Sequence, residues 1–228
     1  MDAPLAERLA VVADCVRSRS TEFSDAVDQF VQRLQSAGAG EFAPAPGDAM
    51  PPFVLPDERG RLMCLESLLE EGPVAIAFLR GHWCPYCRLT AKALAEVQTE
   101  VATMGARIVV ISPELHAYSA ALKDEAGGRY PILADIDNGY AMALNLAIWV
   151  DEAMSGLIAS AGWDIPKYSG NPSWLLPVPA TFVVDRSGIV RARFVDADYR
   201  RRMDIDELKA GIRAATEQSG ASLQLAED

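Results

Sequence analysis

The stretch PVAIAFLRGHWCPYCRLTAKALAEVQTEVATMG, residues 73–105, changes character twice. Residues 73–79 are a continuous apolar run, which reads as a central strand buried on both faces. Leu89, Ala93, Val97, Val101 and Met104 then repeat at helical spacing, and Gly105 supplies a stop. Trp83-Cys84-Pro85-Tyr86-Cys87 falls at the junction. Pro85 suits the first helical turn, where a missing N–H costs nothing. Both sulfurs are therefore expected at the positive end of a helix dipole, where a thiolate is stabilised and a thiol becomes nucleophilic at neutral pH. Arg80, His82 and Arg88 surround the pair and add positive potential.

Further along, ARIVVIS (106–112) reads as a second buried strand, followed by a helix near 114–125. YPILAD gives a short strand and then a helix from about 137 to 146. TFVVDRSGIVRARFV (181–195) is a hairpin around the turn sequence DRSG. MDIDELKAGIRAAT (203–216) is a last helix with Asp204 as its cap. The order β-α-β-α-β-β-α predicts an α/β domain of thioredoxin type, a mixed central sheet flanked by helices. Segment 147–178 is long for a connection and holds Trp149, Trp163 and Trp174. It reads first as a satellite core, and second as an apolar wall over the cysteines.

Before the sheet, Leu5, Leu9, Val12, Val16, Phe23, Val27, Phe30 and Leu34 make a narrow apolar seam, with a break expected at RSRST. An N-terminal helical arm is expected over 1–36, packed on its own domain, with a dimer seam as the alternative. Residues 37–52, rich in Gly, Ala and Pro, form a linker, and 53–228 the main domain.

A net charge of −11 argues against a nucleic-acid partner, whose phosphates need clustered Lys and Arg. No apolar segment approaches the roughly 20 residues of a membrane span. Asp2 and Glu7 stand where a secretory peptide would be basic, so the chain is expected in the cytoplasm, a reducing compartment. There a close cysteine pair is catalytic or metal-binding rather than structural. Zinc would need two more ligands, yet Cys15 and Cys64 lack partners at ligand spacing and His116 is the sole distant histidine. No metal or other cofactor is expected. Cys15 and Cys64 read as small buried hydrophobes, and His116 as a surface residue of its helix.

PGDAMPPFVLPDERG, RGHWCPYCR, VVISPE, YPILADIDNGYAMALNL and VPATFVVDRSGIVRARFVDADYRRR follow one another over residues 46–216. In that order they resemble bacterial peroxiredoxin-like proteins of the alkyl hydroperoxide reductase/thiol-specific antioxidant (redoxin) family, which have the thioredoxin fold. The resemblance implies a peroxide or disulfide substrate, a thioredoxin-like or low-molecular-weight thiol reductant, and, together with the apolar seam, a homodimer. The family's P-x-x-x-T-x-x-C, aligned on Cys87, puts Arg80 at the proline and Cys84 at the threonine. The family's hairpin Arg falls on Pro179, which instead resembles the cis-proline that thioredoxins place opposite W-C-x-x-C.

Two mechanisms follow, with a non-catalytic redox sensor as a third reading. As a peroxidase, Cys87 attacks the peroxide and Cys84 resolves the sulfenic acid to a disulfide. Arg80 or Arg88 then supplies the positive charge, with Arg200, Arg201 and Arg202 as alternatives. As a thiol-disulfide oxidoreductase, Cys84, expected to be the more exposed, attacks a substrate disulfide and Cys87 resolves it, with Pro179 presenting backbone groups to the substrate.

Overall fold

The structure is a computed structural model that describes residues 3–224; positions 1–2, with Asp2, and 225–228 lie outside the described residues. Its centre is a five-stranded sheet in the order β5-β4-β3-β8-β9. β3 (Val74–Phe78), β4 (Arg107–Ser112) and β5 (Ile132–Ala134) run parallel, joined by α4 (Pro85–Thr103) and α5 (His116–Ala126). β8 (Ala180–Val184) pairs antiparallel with β3, and β9 (Val190–Val195) antiparallel with β8. α9 (Ile205–Gln224) closes the order expected from the sequence. The Asp204 carboxylate accepts the Asp206 N–H at 2.8 Å, capping this helix.

The apolar run at 73–79 is buried throughout because both faces of the sheet are covered. Successive side chains of a strand point to opposite faces. Val74, Ile76 and Phe78 accordingly join one core with Leu65, Leu68 and Leu69 of α3 (Leu65–Glu70). Ala75, Ala77 and Leu79 join the other with residues of α4, α9 and the arm. Residues 37–52 hold no helix or strand of their own, yet Ala43 and Met50 are buried in the first of these cores.

The arm is two helices, α1 (Leu5–Arg19) and α2 (Thr21–Ser36), broken at Ser20 within the RSRST stretch. The Ser20 side chain accepts the Phe23 N–H at 3.1 Å and starts the second helix. Leu5, Leu9, Val27 and Phe30 of the seam are buried in the chain's own core. An ion pair of 2.8 Å between Arg8 and Glu96 joins α1 to α4.

Two elements depart from expectation. Where a helix over 137–146 was predicted, a short 3-10 turn (Ile136–Asn138) and α6 (Gly139–Ala143) stand instead. Asp137 and Asn138 adopt left-handed backbone, with φ of 65° and 55°, which no continuous helix accommodates. Segment 147–178 is built structure rather than a loop: β6 (Ala147–Trp149) pairs with β7 (Leu175–Pro177), and α7 (Glu152–Ser160) and α8 (Ile165–Ser169) lie between them. β1 (Val54–Pro56) and β2 (Leu62–Cys64) form a separate two-stranded ribbon. Among the described residues, no helix is long and apolar enough to cross a membrane.

Candidate active site

The carboxyl ends of parallel strands β3 and β4 meet at one edge of the sheet, the usual place for a site in an α/β layer. The chain leaves β3 through Leu79, Arg80 and Gly81, and Cys84 is the N-cap of α4 with Pro85 in its first turn. Both sulfurs are free thiols in contact with each other. Both are also buried: Cys84 is 1% exposed and Cys87 0%, so the expected greater exposure of Cys84 is not found. Phe23 and Phe30 of the arm and Met154 and Ile158 of α7 line the same cleft as Cys84.

The surroundings of the two sulfurs differ. Cys87 Sγ accepts the Arg80 backbone N–H at 3.2 Å, and Arg202 Nη2 approaches it at 3.7 Å. Burial alone pushes the Cys87 thiol up, but four groups outweigh it: the Cys84 thiol hydrogen bond, the Arg202 and Arg80 charges, and the Arg80 N–H. Its pKa lies well below that of an ordinary cysteine. Burial pushes the Cys84 thiol well up, and the hydrogen bond and charge of Cys87 push it further. Both directions favour Cys87 over Cys84 as the sulfur that gives up its proton.

Arg80 is buried, with its guanidinium 3.9 Å from the Tyr199 ring centroid and 4.9 Å from that of Trp83. Its Nε and Nη1, and Nε of Arg202, are buried without a hydrogen-bond partner. Such donors cost free energy unless something accepts from them. Of the three late arginines, Arg200 is held by Asp28 at 2.6 Å and Asp198 at 2.8 Å, and Arg201 by Asp196 at 2.8 Å. Arg202 alone of these reaches Cys87, its guanidinium fixed by the carbonyls of Tyr199 and Arg201.

Arg88 and His82 turn away from the sulfurs. Both bind Glu125 on α5, Arg88 Nε at 3.0 Å and His82 Nε2 at 2.8 Å. Trp83 packs on Arg80 and donates its indole N–H to the Arg80 carbonyl at 3.2 Å. Pro179 is buried and directly precedes β8, whose first residue pairs with Phe78 at the end of β3. Its peptide bond is trans, because no cis bond occurs among the described residues. The cis-proline expectation is corrected.

Other readings change as well. Cys15 is exposed and Cys64 half-buried, since Cys15 lies on an outer face of α1 and Cys64 on the edge ribbon. His116 is half-buried, and its Nδ1 lacks a partner. Trp149 is 60% exposed, Trp174 packs at the edge of the core, and Trp163 lies tilted against Trp83 with centroids 6.0 Å apart. Trp163, Phe23, Phe30, Trp83 and Tyr199 wall a narrow cleft of about 30 Å³, with Cys84 and Arg80 lining it. Sequence reasoning missed Tyr199, and also Glu114 at the end of β4, whose carboxylate accepts the His82 N–H at 2.6 Å. The one signal for Glu114 was its place at a parallel strand's carboxyl end.

A thioredoxin-type sheet with a buried, closely spaced cysteine pair at a helix N-terminus defines a redoxin. The chain belongs to the AhpC/TSA family, which matches residues 46–193. Peroxidoxin BcpB from Mycobacterium tuberculosis shares 23% identity, with a TM-score of 0.59, over 75% of this chain and 97% of that one. A peroxiredoxin-like protein from Aquifex aeolicus shares 14%, with a TM-score of 0.58, over 75% and 86% respectively. A cysteine-to-serine mutant of peroxiredoxin 6 of Arenicola marina shares 14%, with a TM-score of 0.56, over 81% and 75%. At these identities the likeness is one of fold. No curated protein matches the chain at a significant level.

Proposed function

We propose that this redoxin is a thiol peroxidase whose attacking sulfur is Cys87. The observation that carries the reading is the asymmetry of the pair: Cys87 is the thiolate, held by the Arg80 N–H and the Arg202 guanidinium, while Cys84 keeps its proton. A thiolate is the nucleophile in sulfur chemistry, and an electropositive surround is what makes a reactive cysteine. The unpartnered N–H groups of Arg80 and Arg202 are donors of the kind that peroxide oxygens accept, and that stabilise charge building on the leaving oxygen.

In the first step the Cys87 thiolate attacks the terminal oxygen of ROOH and displaces RO⁻. The O–O bond breaks, an S–O bond forms, and RO⁻ takes a proton to leave as ROH. Cys84 then attacks the sulfenic sulfur, releasing water and forming the Cys84–Cys87 disulfide. A thioredoxin-like or low-molecular-weight thiol donor returns two electrons by thiol-disulfide exchange, which suits a reducing compartment such as the cytoplasm. The apolar walls of the cleft favour an organic hydroperoxide over hydrogen peroxide. We also assign 1–36 as a helical arm, 37–52 as a packed linker and 53–228 as the redoxin domain.

A second reading, thiol-disulfide exchange led by Cys84, is favoured by one observation: Cys84 lines the cleft and Cys87 does not. Stopped-flow peroxide consumption and insulin reduction, each with Cys84→Ser and Cys87→Ser, separate the two. Peroxide reduction that depends on Cys87 supports the peroxidase. Insulin reduction that depends on Cys84, with negligible peroxide turnover, replaces it by exchange.

A further inference from the structure

The segment after β9 turns back over the cysteine centre and brings two residues to it. Arg202 reaches Cys87 Sγ, and Tyr199 meets Arg80. The chemistry above uses both arginines and gives Tyr199 no part. Yet Tyr199 offers the nearer of two aromatic rings to the Arg80 guanidinium, at 3.9 Å against 4.9 Å for Trp83.

A buried cation is costly unless its surroundings compensate it, and Arg80 is 4% exposed. Arg200 shows the usual remedy. Its Nε and Nη2 bind Asp198 and its Nη1 binds Asp28, so its donor edges are occupied. Arg80 is held differently. Among the described residues no carboxylate pairs with it, and its Nε and Nη1 have no acceptor. An aromatic face attracts a guanidinium through its π-electrons and uses up none of the N–H groups at the edge. A ring can therefore fix the plane of Arg80 and leave that edge free for a peroxide oxygen. A carboxylate would have filled it.

Tyr199 is itself held in place. Its ring packs edge-on to Tyr86 of α4, with centroids 5.5 Å apart. The next residue, Arg200, ties the segment to Asp28 of α2, and the Tyr199 carbonyl accepts from the Arg202 guanidinium. The Tyr199 hydroxyl accepts a hydrogen bond from Arg80, the least of the influences on the phenol. One residue thus touches both arginines of the site.

Resting on the reading of Cys87 as the attacking sulfur, we propose that Tyr199 is a positioning residue for peroxide reduction, its ring face holding the Arg80 guanidinium beside Cys87 with the donor edge open to substrate. Tyr199 acts through Arg80 and takes no part in the bond changes. The ring does the holding, and the hydroxyl is secondary.

Tyr199→Leu and Tyr199→Phe test this through peroxide kinetics and cysteine alkylation. Tyr199→Leu removes the face and is expected to lower kcat/KM for hydrogen peroxide about 10- to 30-fold, the scale of a desolvated cation–ring contact. Tyr199→Phe keeps the face and is expected to stay within about threefold of the wild type. The second readout compares iodoacetate, an anion, with neutral iodoacetamide as alkylating agents of Cys87, the label being located by mass. A fixed guanidinium beside the sulfur favours the anion. The iodoacetate-to-iodoacetamide rate ratio should therefore fall about threefold in Tyr199→Leu and hold in Tyr199→Phe. Lost turnover in Tyr199→Leu at an unchanged ratio shows a merely structural role and overturns the proposal. Equal losses in both variants assign the effect to the hydroxyl and overturn it too, as does a Tyr199→Leu enzyme within about twofold of the wild type. A wild type without peroxide turnover overturns the peroxidase reading instead; the alkylation ratio, which needs no peroxide, then decides on Tyr199. Should Tyr199→Leu fail to fold, Tyr199→Met, a flexible apolar chain without a π-face, takes its place with the same expectations.

Discussion

Cys84 and Cys87 share one helical turn and are buried alike, yet they face different chemistry. Around Cys87 stand a backbone N–H and two guanidinium groups. Around Cys84 stand aromatic walls and an open cleft. The helix dipole acts on both, so position at a helix N-terminus does not decide which sulfur is the nucleophile. Groups arriving from outside the helix decide it: Arg202 from the segment after β9 and the Arg80 N–H from the end of β3. One sulfur is built to hold charge and the other to meet a ligand.

Removing the charge on the Cys87 side breaks this contrast most strongly. A charge-assisted hydrogen bond contributes about 1.5–3 kcal/mol, so Arg202→Met is expected to slow peroxide reduction about 10- to 100-fold near pH 6.5. Its alkylation–pH profile should move upward, because a thiol held low reacts at constant rate until pH falls through its lowered value. An unchanged profile would remove Arg202 from the account.

Next in size is the support beneath the turn. Gly81→Ala puts a methyl group 2.4 Å from Glu114 Cδ at a φ that L-residues avoid. It is expected to destabilise the fold by about 1–3 kcal/mol, read from chemical denaturation.

On the Cys84 side, Trp163→Ala opens a wall of the cleft. The constant kcat/KM for cumene hydroperoxide should fall roughly 3- to 10-fold, the scale of a lost apolar contact, with hydrogen peroxide unaffected. Equal losses for both substrates would mean that the cleft does not select.

A smaller effect concerns stability against pH. Glu114 is raised in the folded chain relative to its ordinary carboxyl value, so the folded state binds the extra proton between the two. That contribution is fully present below pH 4.5 and is lost as pH rises through about 8. Cys87, lowered to about 5 in the folded chain, contributes the opposite slope, so the wild-type melting temperature should stay nearly level between pH 5 and 8, and Glu114→Gln should make it rise with pH over that range. Smallest of all is Arg88→Ala, which leaves Glu125 to His82 and the sulfurs untouched; peroxide rates should change less than about twofold.

Much of this was legible in the sequence because it is local. The apolar run before Arg80, the helical repeat after Cys87 and the DRSG turn carry their own periodicity, and they place the pair correctly at a strand–helix junction. The asymmetry of the pair was not legible, since Arg202 lies 115 residues from Cys87 in the chain. Arg200, Arg201 and Arg202 could not be told apart in DADYRRR, because nothing local shows that Asp28 and Asp198 hold Arg200 while Arg202 folds inward. The seam spacing identified Phe23 and Phe30 as inward-facing, but not that they would wall the site. Pro179 misled through resemblance: its place before β8 was right and its expected isomer was not.

The central claim is that Cys87 holds the reactive charge. Its most direct test is single-turnover mixing of Cys84→Ser with an organic hydroperoxide, trapping sulfenic acid and locating it by mass. The account predicts rapid, stoichiometric sulfenic acid on Cys87, and none on Cys84 when Cys87→Ser is mixed in the same way. Sulfenic acid forming on Cys84 in Cys87→Ser, with Cys87 inert in Cys84→Ser, would contradict it.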